Sequence, residues 1–440
     1  MQQFFTKITA KLDNGTAALQ YFNLLRFGTT ILIMVILGKT LPAEEISVYE
    51  SFWFAAGMLT FFWVASCINA ALTYLPKLSA AEQGKAFFNI FLFFTAVSIL
   101  VSGLLYFGGN IFLKTFAVRS ELPFIGLLCI FLVLQTPAWL VQIFYLLLKK
   151  YRNIYVFGTV GFALQLLAVI IPLWAGGGLE MILRALIWMS AVKFIWLVVL
   201  LLRHAVFSFD FKMLLPFFAL SLPLMLKAFL NHGYEYIDGL IVNNFFDDPA
   251  AFAVFRYGAK EMPYIALFIG TIVTVMLPEF ARDLTGNLAV LKRKTQRLSQ
   301  WMFPISSGMM LVSPWLFVTV FSEEFRASAL IFNVYLLMLS SRILLPQTII
   351  MAKEKSYFLL YSAAVEIVVN VALSLLLVRY FGLAGIAFAS VVAFYVNKLN
   401  QIFYLKKRHG IAAGSYIPLR AHFGFSLLLY GSFLGSLYFV

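Results

Sequence analysis

The chain has 440 residues, 62% of them hydrophobic and 12% charged, with a mean hydropathy of +0.92 and a formal charge of +14. A soluble chain is typically about 45–50% apolar and about 25% charged, so this apolar surplus exceeds what an aqueous core hides and has to face lipid. That excludes a soluble enzyme and predicts an all-α polytopic membrane protein, in which about a dozen spans of roughly 20 residues use nearly the whole chain and leave no room for a soluble domain.

Residues 1–17 carry Phe4, Phe5, Ile8 and Leu12 at helical spacing without a long apolar run, which predicts an amphipathic helix on the membrane surface and no cleavable signal peptide. Apolar runs then place spans at 18–38, 52–75, 86–108, 122–148, 153–175 and 180–202, a first lobe over 18–204. Further runs at 213–243, 251–279, 300–321, 328–350, 357–378 and 382–404 make a second lobe over 205–410. A C-terminal apolar segment, 411–440, holds a run from 421 that reads as a thirteenth span or as a hairpin dipping into one leaflet. Pro137 and Pro223 predict kinks within their spans. Cys67 and Cys129 lie far apart in apolar stretches with no His or Asp at ligand spacing, so both are packing residues and no metal site or disulfide is indicated.

Assigning alternate loops to alternate sides separates the charges. One side collects Lys and Arg, including Lys149, Lys150, Arg152 and the run Lys292–Arg297, whereas the other holds Lys39, Lys114, Arg119, Arg326 and Arg379 beside Glu44, Glu45, Asp247, Asp248, Glu323 and Glu324. Short cytoplasmic loops gather basic residues, so the N-terminus is expected in the cytoplasm.

The two halves echo each other at offsets of 202 to 206 residues. Ile46-Ser47-Val48-Tyr49 matches Phe252-Ala253-Val254-Phe255, Leu75-Pro76-Lys77-Leu78 matches Leu277-Pro278-Glu279-Phe280, Gly178-Leu179 matches Gly382-Leu383, and Arg203-His204 matches Arg408-His409. Four pairs in order predict two six-helix lobes related by a pseudo-two-fold axis along the membrane normal, with a cavity between them.

Several ionisable residues fall inside the predicted spans, among them Arg26, Lys193, Lys227, Glu235, Asp238, Arg256, Lys260, Glu261, Arg342 and Glu366. At mid-bilayer each Arg, Lys or Asp costs roughly 2.5–3.5 kcal/mol, so they face water or one another. On span seven Lys227, Asn231, Glu235 and Asp238 lie at i, i+4, i+8 and i+11, one polar arc of the helix. Arg256 and Lys260 share a face of span eight by the i, i+4 rule. Ser66, Asn69 and Thr73 on span two, and Glu366 and Asn370 on span eleven, extend the polar lining. His232 lies off the charged arc and reads as a packing histidine. The charges either pair as structural ion pairs or line a cavity; the excess of bases favours a cavity for an anion, and guanidinium groups suit phosphate because they donate in pairs. Arg26, Lys193, Lys227, Arg256, Lys260 and Arg342 are the candidate headgroup contacts. Glu235, Asp238 and Glu366 are candidates for a coupling H⁺ or Na⁺, with Ser66, Asn69, Asn231, Glu261 and Asn370 as further polar lining. No other cofactor, no catalytic residue and no metal ligand is expected.

Four stretches carry a family likeness. They are Leu25-Arg26-Phe27-Gly28 with Leu37-Gly38-Lys39 and Glu44-Glu45-Ile46-Ser47-Val48-Tyr49; Tyr236-Ile237-Asp238-Gly239-Leu240-Ile241; Ala253-Val254-Phe255-Arg256-Tyr257 through Leu277-Pro278-Glu279-Phe280; and Gly382-Leu383-Ala384-Gly385-Ile386-Ala387-Phe388-Ala389. In order and spacing the chain resembles, over most of 18–410, the oligosaccharide-lipid flippases and polysaccharide transporters of the multidrug/oligosaccharidyl-lipid/polysaccharide (MOP) exporter superfamily. The resemblance implies alternating access and movement of an undecaprenyl-pyrophosphate-linked sugar unit, for O-antigen, capsule or exopolysaccharide, from the cytoplasmic to the periplasmic face of a bacterial inner membrane. The implied partners are that lipid, membrane lipid and polysaccharide polymerase machinery, not nucleic acid. The lone run at 421–440 departs from relatives with twelve or fourteen spans and bears on any lipid-tail groove built from extra helices.

Three other functions compete. A multidrug or cation exporter of the same superfamily would want acids in the first lobe, where the mid-span charges are Arg26 and Lys193. A membrane polysaccharide polymerase or ligase would want a sizeable outer loop, and the longest here is about 109–121. A major-facilitator carrier would want a Gly- and Arg-rich signature in the loop Pro76–Lys85, which lacks it.

Overall fold

The computed structural model describes residues 14–116, 124–260, 263–353 and 355–439. The expected surface helix lies almost wholly outside the described residues, as does Glu261; so do the side chains of Asn231, His232 and Glu235. No strand occurs among the described residues. The chain forms two compact units, one made of residues up to Leu41 with Val48–Phe229, the other of Pro42–Ser47 with Leu230 onward.

The first unit contains α1 (Gly15–Thr40), most of α2 (Ala43–Tyr74), α3 (Ala80–Phe116), α4 (Ile125–Ala138), α5 (Leu140–Leu147), α6 (Tyr151–Trp174), α7 (Leu179–His204) and the first half of α8 (Phe211–Phe245). Polar residues set the helix starts: Asn14 caps α1 by accepting from the Thr16 N–H at 2.9 Å. Ser79 and Glu82 form a reciprocal box at the start of α3, with the Ser79 N–H donating to Glu82 Oε2 at 2.8 Å. Aromatic residues fill the core. Phe22 of α1 lies between Phe157 and Phe162 of α6, Trp63 of α2 meets Phe94 of α3, and Phe87 of α3 stacks on Phe144 of α5 at 4.3 Å. The kink expected at Pro137 is a break at Trp139 between α4 and α5, whereas α8 runs through Pro216 and Pro223 as one helix.

The second unit contains the end of α8, α9 (Ala251–Gly258), α10 (Pro263–Arg282), α11 (Leu284–Val320), α12 (Arg326–Leu337), α13 (Leu339–Arg342), α14 (Pro346–Ala352), α15 (Ser356–His409), α16 (Ala413–Tyr416) and α17 (Leu419–Ser436). Asp283 caps α11, its Oδ1 accepting from the Gly286 N–H at 3.0 Å and from Thr285 Oγ1 at 3.1 Å, and these bonds hold the carboxyl below its ordinary range. Two expected spans are broken. Span eight is α9 and α10, because Pro263 has no N–H with which to continue a helix. Span ten is bent by 46° between Arg342 and Pro346. The segment from 421 is not a hairpin: α17 is one helix of 18 residues, about 27 Å long, laid along α11 with Phe425 stacked on Phe303 and Ser436 Oγ accepting from Asn333 Nδ2 at 3.0 Å.

Nine described helices are long and apolar enough to cross a membrane, ten with the bent pair. The difference from twelve lies in the broken span eight and in α15. With 54 residues α15 would run about 80 Å if straight, far beyond a bilayer core of about 30 Å. It is a hairpin. Gly382 takes φ 56° and ψ −137°, a conformation that favours glycine, and the arms on either side pair back on each other. Phe358 stacks on Tyr404, Ser362 donates to the Asn397 carbonyl, and Asn370 bonds Ser390, three pairs nested about the residues just before Gly382. Spans eleven and twelve are its arms.

Candidate functional site

The α15 hairpin carries a buried polar seam. On its first arm Ser362, Glu366, Asn370 and Ser374 recur every fourth residue and so share one helix face; on the second arm stand Ser390, Asn397 and Gln401. All seven are buried. Polar groups inside a membrane protein are costly unless bonded to one another, and they mark function more often than stability.

The layer nearest the turn centres on Asp238, which α8 delivers 3% exposed. Tyr335 of α12 donates its hydroxyl to Asp238 Oδ2 at 2.8 Å, and Ser390 Oγ donates to the same oxygen while accepting from Asn370 Nδ2 at 2.8 Å. Asn370 Oδ1 and Ser374 Oγ are buried without a hydrogen-bond partner. Four helical segments thus bring one carboxylate together with neutral oxygens.

The layer toward the open end of the hairpin centres on Glu366, whose Oε2 accepts from Asn397 Nδ2. Asn397 Oδ1 in turn accepts from Ser362 Oγ and, at 2.6 Å, from Gln401 Nε2. Next to this layer sit two bases. Lys398 is 5% exposed, its Nζ donates to Gln347 Oε1 at 2.9 Å and lies 4.9 Å from the centre of the Phe394 ring. The half-buried Arg342 stands over the same ring at 5.4 Å, its Nε donating to Met338 Sδ at 3.1 Å. Glu366 interacts electrostatically with Lys398 and Arg342, and also with Asp238.

Of the predicted residues, then, the structure brings Asp238, Glu366, Asn370 and Arg342 into one region of the second unit. The others are scattered. Arg256 is half-buried on α9; Lys260 lies past the end of that helix, so the expected shared i, i+4 face does not form, because the helix stops at Gly258. In the first unit Arg26 is exposed on α1, Lys227 is exposed on α8, and the Ser66 hydroxyl is turned back onto the Phe62 carbonyl at 2.6 Å while Asn69 is exposed. Lys193 is 8% exposed on α7, its Nζ 5.6 Å from the Phe162 ring centre, and no carboxylate pairs with it among the described residues. A desolvated cation–π contact is worth about 2 kcal/mol, less than the roughly 2.5–3.5 kcal/mol that a mid-membrane Lys costs, so Lys193 is held at a net expense.

The sequence reading missed Tyr335, Ser362, Ser374, Ser390, Asn397, Lys398 and Gln401. Ser362 and Ser374 continue the four-residue period of Glu366 and Asn370, and Lys398 falls inside predicted span twelve, so these three were open to the same test that selected Glu366. Ser390 and Tyr335 gave no such signal: lone hydroxyls on membrane helices usually bond their own backbone.

Two helical units with broken and hairpin spans form a fold similar to that of solved transporters of the MOP exporter superfamily. The chain superposes on the lipid II flippase MurJ in an inward closed conformation with a TM-score of 0.73 and 16% identity, covering 94% of this chain and 91% of that one. It also matches an inward-facing MATE family multidrug transporter (TM-score 0.63, 11% identity, 91% and 94% covered) and a mutant MATE transporter of Vibrio cholerae (TM-score 0.55, 14% identity, 91% and 98% covered). Within this class the chain belongs to the polysaccharide biosynthesis protein family, whose model matches residues 79–330. No curated protein matches it in sequence.

Proposed function

We propose that this transporter is a flippase for an undecaprenyl-pyrophosphate-linked oligosaccharide, carrying it from the cytoplasmic to the periplasmic face by alternating access. The observation that carries the reading is membership of a polysaccharide biosynthesis family joined to a fold similar, along nearly its whole length, to a lipid II flippase. An excess of intramembrane bases supports an anionic headgroup. The candidate bases are Arg26, Lys193 and Lys227 in the first unit and Arg256, Lys260 and Arg342 in the second, and a guanidinium group donates in pairs to phosphate oxygens.

Asp238 is the proposed coupling-ion residue. One buried carboxylate balances one positive charge, and the buried, unpartnered Asn370 Oδ1 and Ser374 Oγ offer lone pairs to a hard monovalent cation such as Na⁺. Binding there would stabilise whichever conformation closes α8, α12 and the α15 hairpin around the ion, which is what coupling to transport requires. Reconstitution in proteoliposomes with a fluorescent lipid-linked oligosaccharide tests the reading. Protein-dependent flipping driven by a Na⁺ gradient is expected; drug efflux without lipid flipping would favour a multidrug exporter instead.

A further inference from the structure

Resting on the reading of Asp238 as a cation site, we infer that Lys398 and Glu366 set that site's affinity from one layer away, Lys398 holding it low and Glu366 raising it. Four ionisable groups joined by the α15 hairpin and its neighbours, Asp238, Glu366, Lys398 and Arg342, fall in two layers. Asp238 stands in the first, accepting from Tyr335 and Ser390, with Asn370 and Ser374 in the same layer. Glu366, Lys398 and Arg342 stand together in the second, where bases outnumber the acid. A cation on Asp238 therefore meets an attractive charge at Glu366, one helical turn below Asn370, and a repulsive one at Lys398.

Lys398 is fixed where it is by contacts that use its charge without cancelling it. Gln347 Oε1 accepts one hydrogen bond and Phe394 offers a ring face, both neutral, and Glu366 partly offsets the charge electrostatically without a direct hydrogen bond. Gln347 sits in the first turn of α14, just past the break in span ten, so the ammonium also ties the hairpin to that break. The remaining oxygen of the second layer, Gln401 Oε1, is buried without a partner, so the layer has acceptor capacity that its bases do not fill.

The size of the effect follows from geometry. Lys398 is eight residues from Ser390 on the same helix arm, about 12 Å along the axis. At that distance, with an effective dielectric constant near 20, a unit charge changes cation affinity about tenfold. Glu366 is closer, so its removal acts at least as strongly.

The test is equilibrium binding of ²²Na⁺ to the purified full chain in detergent. Lys398→Met and Lys398→Gln are each expected to tighten binding about tenfold, Glu366→Gln to weaken it by at least as much, and Lys398→Arg to leave it unchanged. The double variant Glu366→Gln/Lys398→Met returns toward the parent. A purely structural role would weaken binding in every one of these variants, so weaker or unchanged binding in both Lys398→Met and Lys398→Gln overturns the inference. No ²²Na⁺ binding to the parent chain, or binding that Asp238→Asn leaves unchanged, refutes instead the cation site on which the inference rests.

Discussion

Replacing Asp238 by Asn separates charge from shape. Both hydroxyl donors, Tyr335 and Ser390, point at Oδ2, and an amide oxygen in that place accepts the same two bonds. Losing the charge assistance costs about 1 kcal/mol per bond, while removing a buried charge returns a desolvation cost of several kcal/mol, so the variant folds. What it loses is the attraction for a cation. Two unit charges about 4 Å apart at an effective dielectric constant near 20 attract by about 4 kcal/mol, a factor of about a thousand in affinity. Isothermal titration with NaCl, beside a thermal melt, reads both quantities on one preparation. Parent-like Na⁺ affinity in Asp238→Asn, with the melt unchanged, would refute the argument that this carboxylate holds the ion.

Other expectations follow from single contacts. Arg26→Ala and Arg256→Ala each abolish flipping at normal protein level and insertion, and Lys at either position restores it only partly because one ammonium cannot donate as a fork; full activity in both Ala variants removes them from the headgroup site. Gly382→Ala has room for its methyl, the nearest atoms being those of Phe246 at 4.0 Å, so its cost is the backbone alone, about 1–3 kcal/mol and a lower melting temperature. Phe22→Ala empties the space between Phe157 and Phe162 and costs about 3–5 kcal/mol, checked by the loss of monodisperse protein on heating. Asp283 has its carboxyl lowered by the bonds from Gly286 and Thr285, so its stabilisation is complete above the ordinary carboxylate value of about 4 and is lost as pH falls through its folded value; Asp283→Asn removes that pH dependence from the melt.

Much of the architecture was legible because lipid imposes strong patterning. An apolar run of about 20 residues reads the same way whatever packs on it, so the runs at 357–378 and 382–404 located both arms of α15 and their boundary fell at Gly382. Helix breaks were legible only where proline was weighed: Pro137 pointed to the break at Trp139, whereas the run 251–279 was read as one span because it is apolar through its break despite Pro263. The site was half legible. Asp238, Glu366, Asn370 and Arg342 stood out because charge inside a span is rare, but periodicity describes one helix at a time. That α12 brings Tyr335, and the second arm brings Ser390 and Lys398, to those residues is a matter of tertiary packing, which a helical wheel does not contain. The same limit explains Lys260, assigned to a helix face by spacing when its helix had already ended.

The most direct test of the flippase reading is the membrane side on which undecaprenyl-linked sugar units build up in a strain lacking this protein, read by accessibility to an impermeant periplasmic glycosidase. Accumulation protected from the enzyme, on the cytoplasmic face, is the predicted result. Accumulation of single units open to the enzyme on the periplasmic face would mean that translocation proceeds without this chain, and would contradict the account.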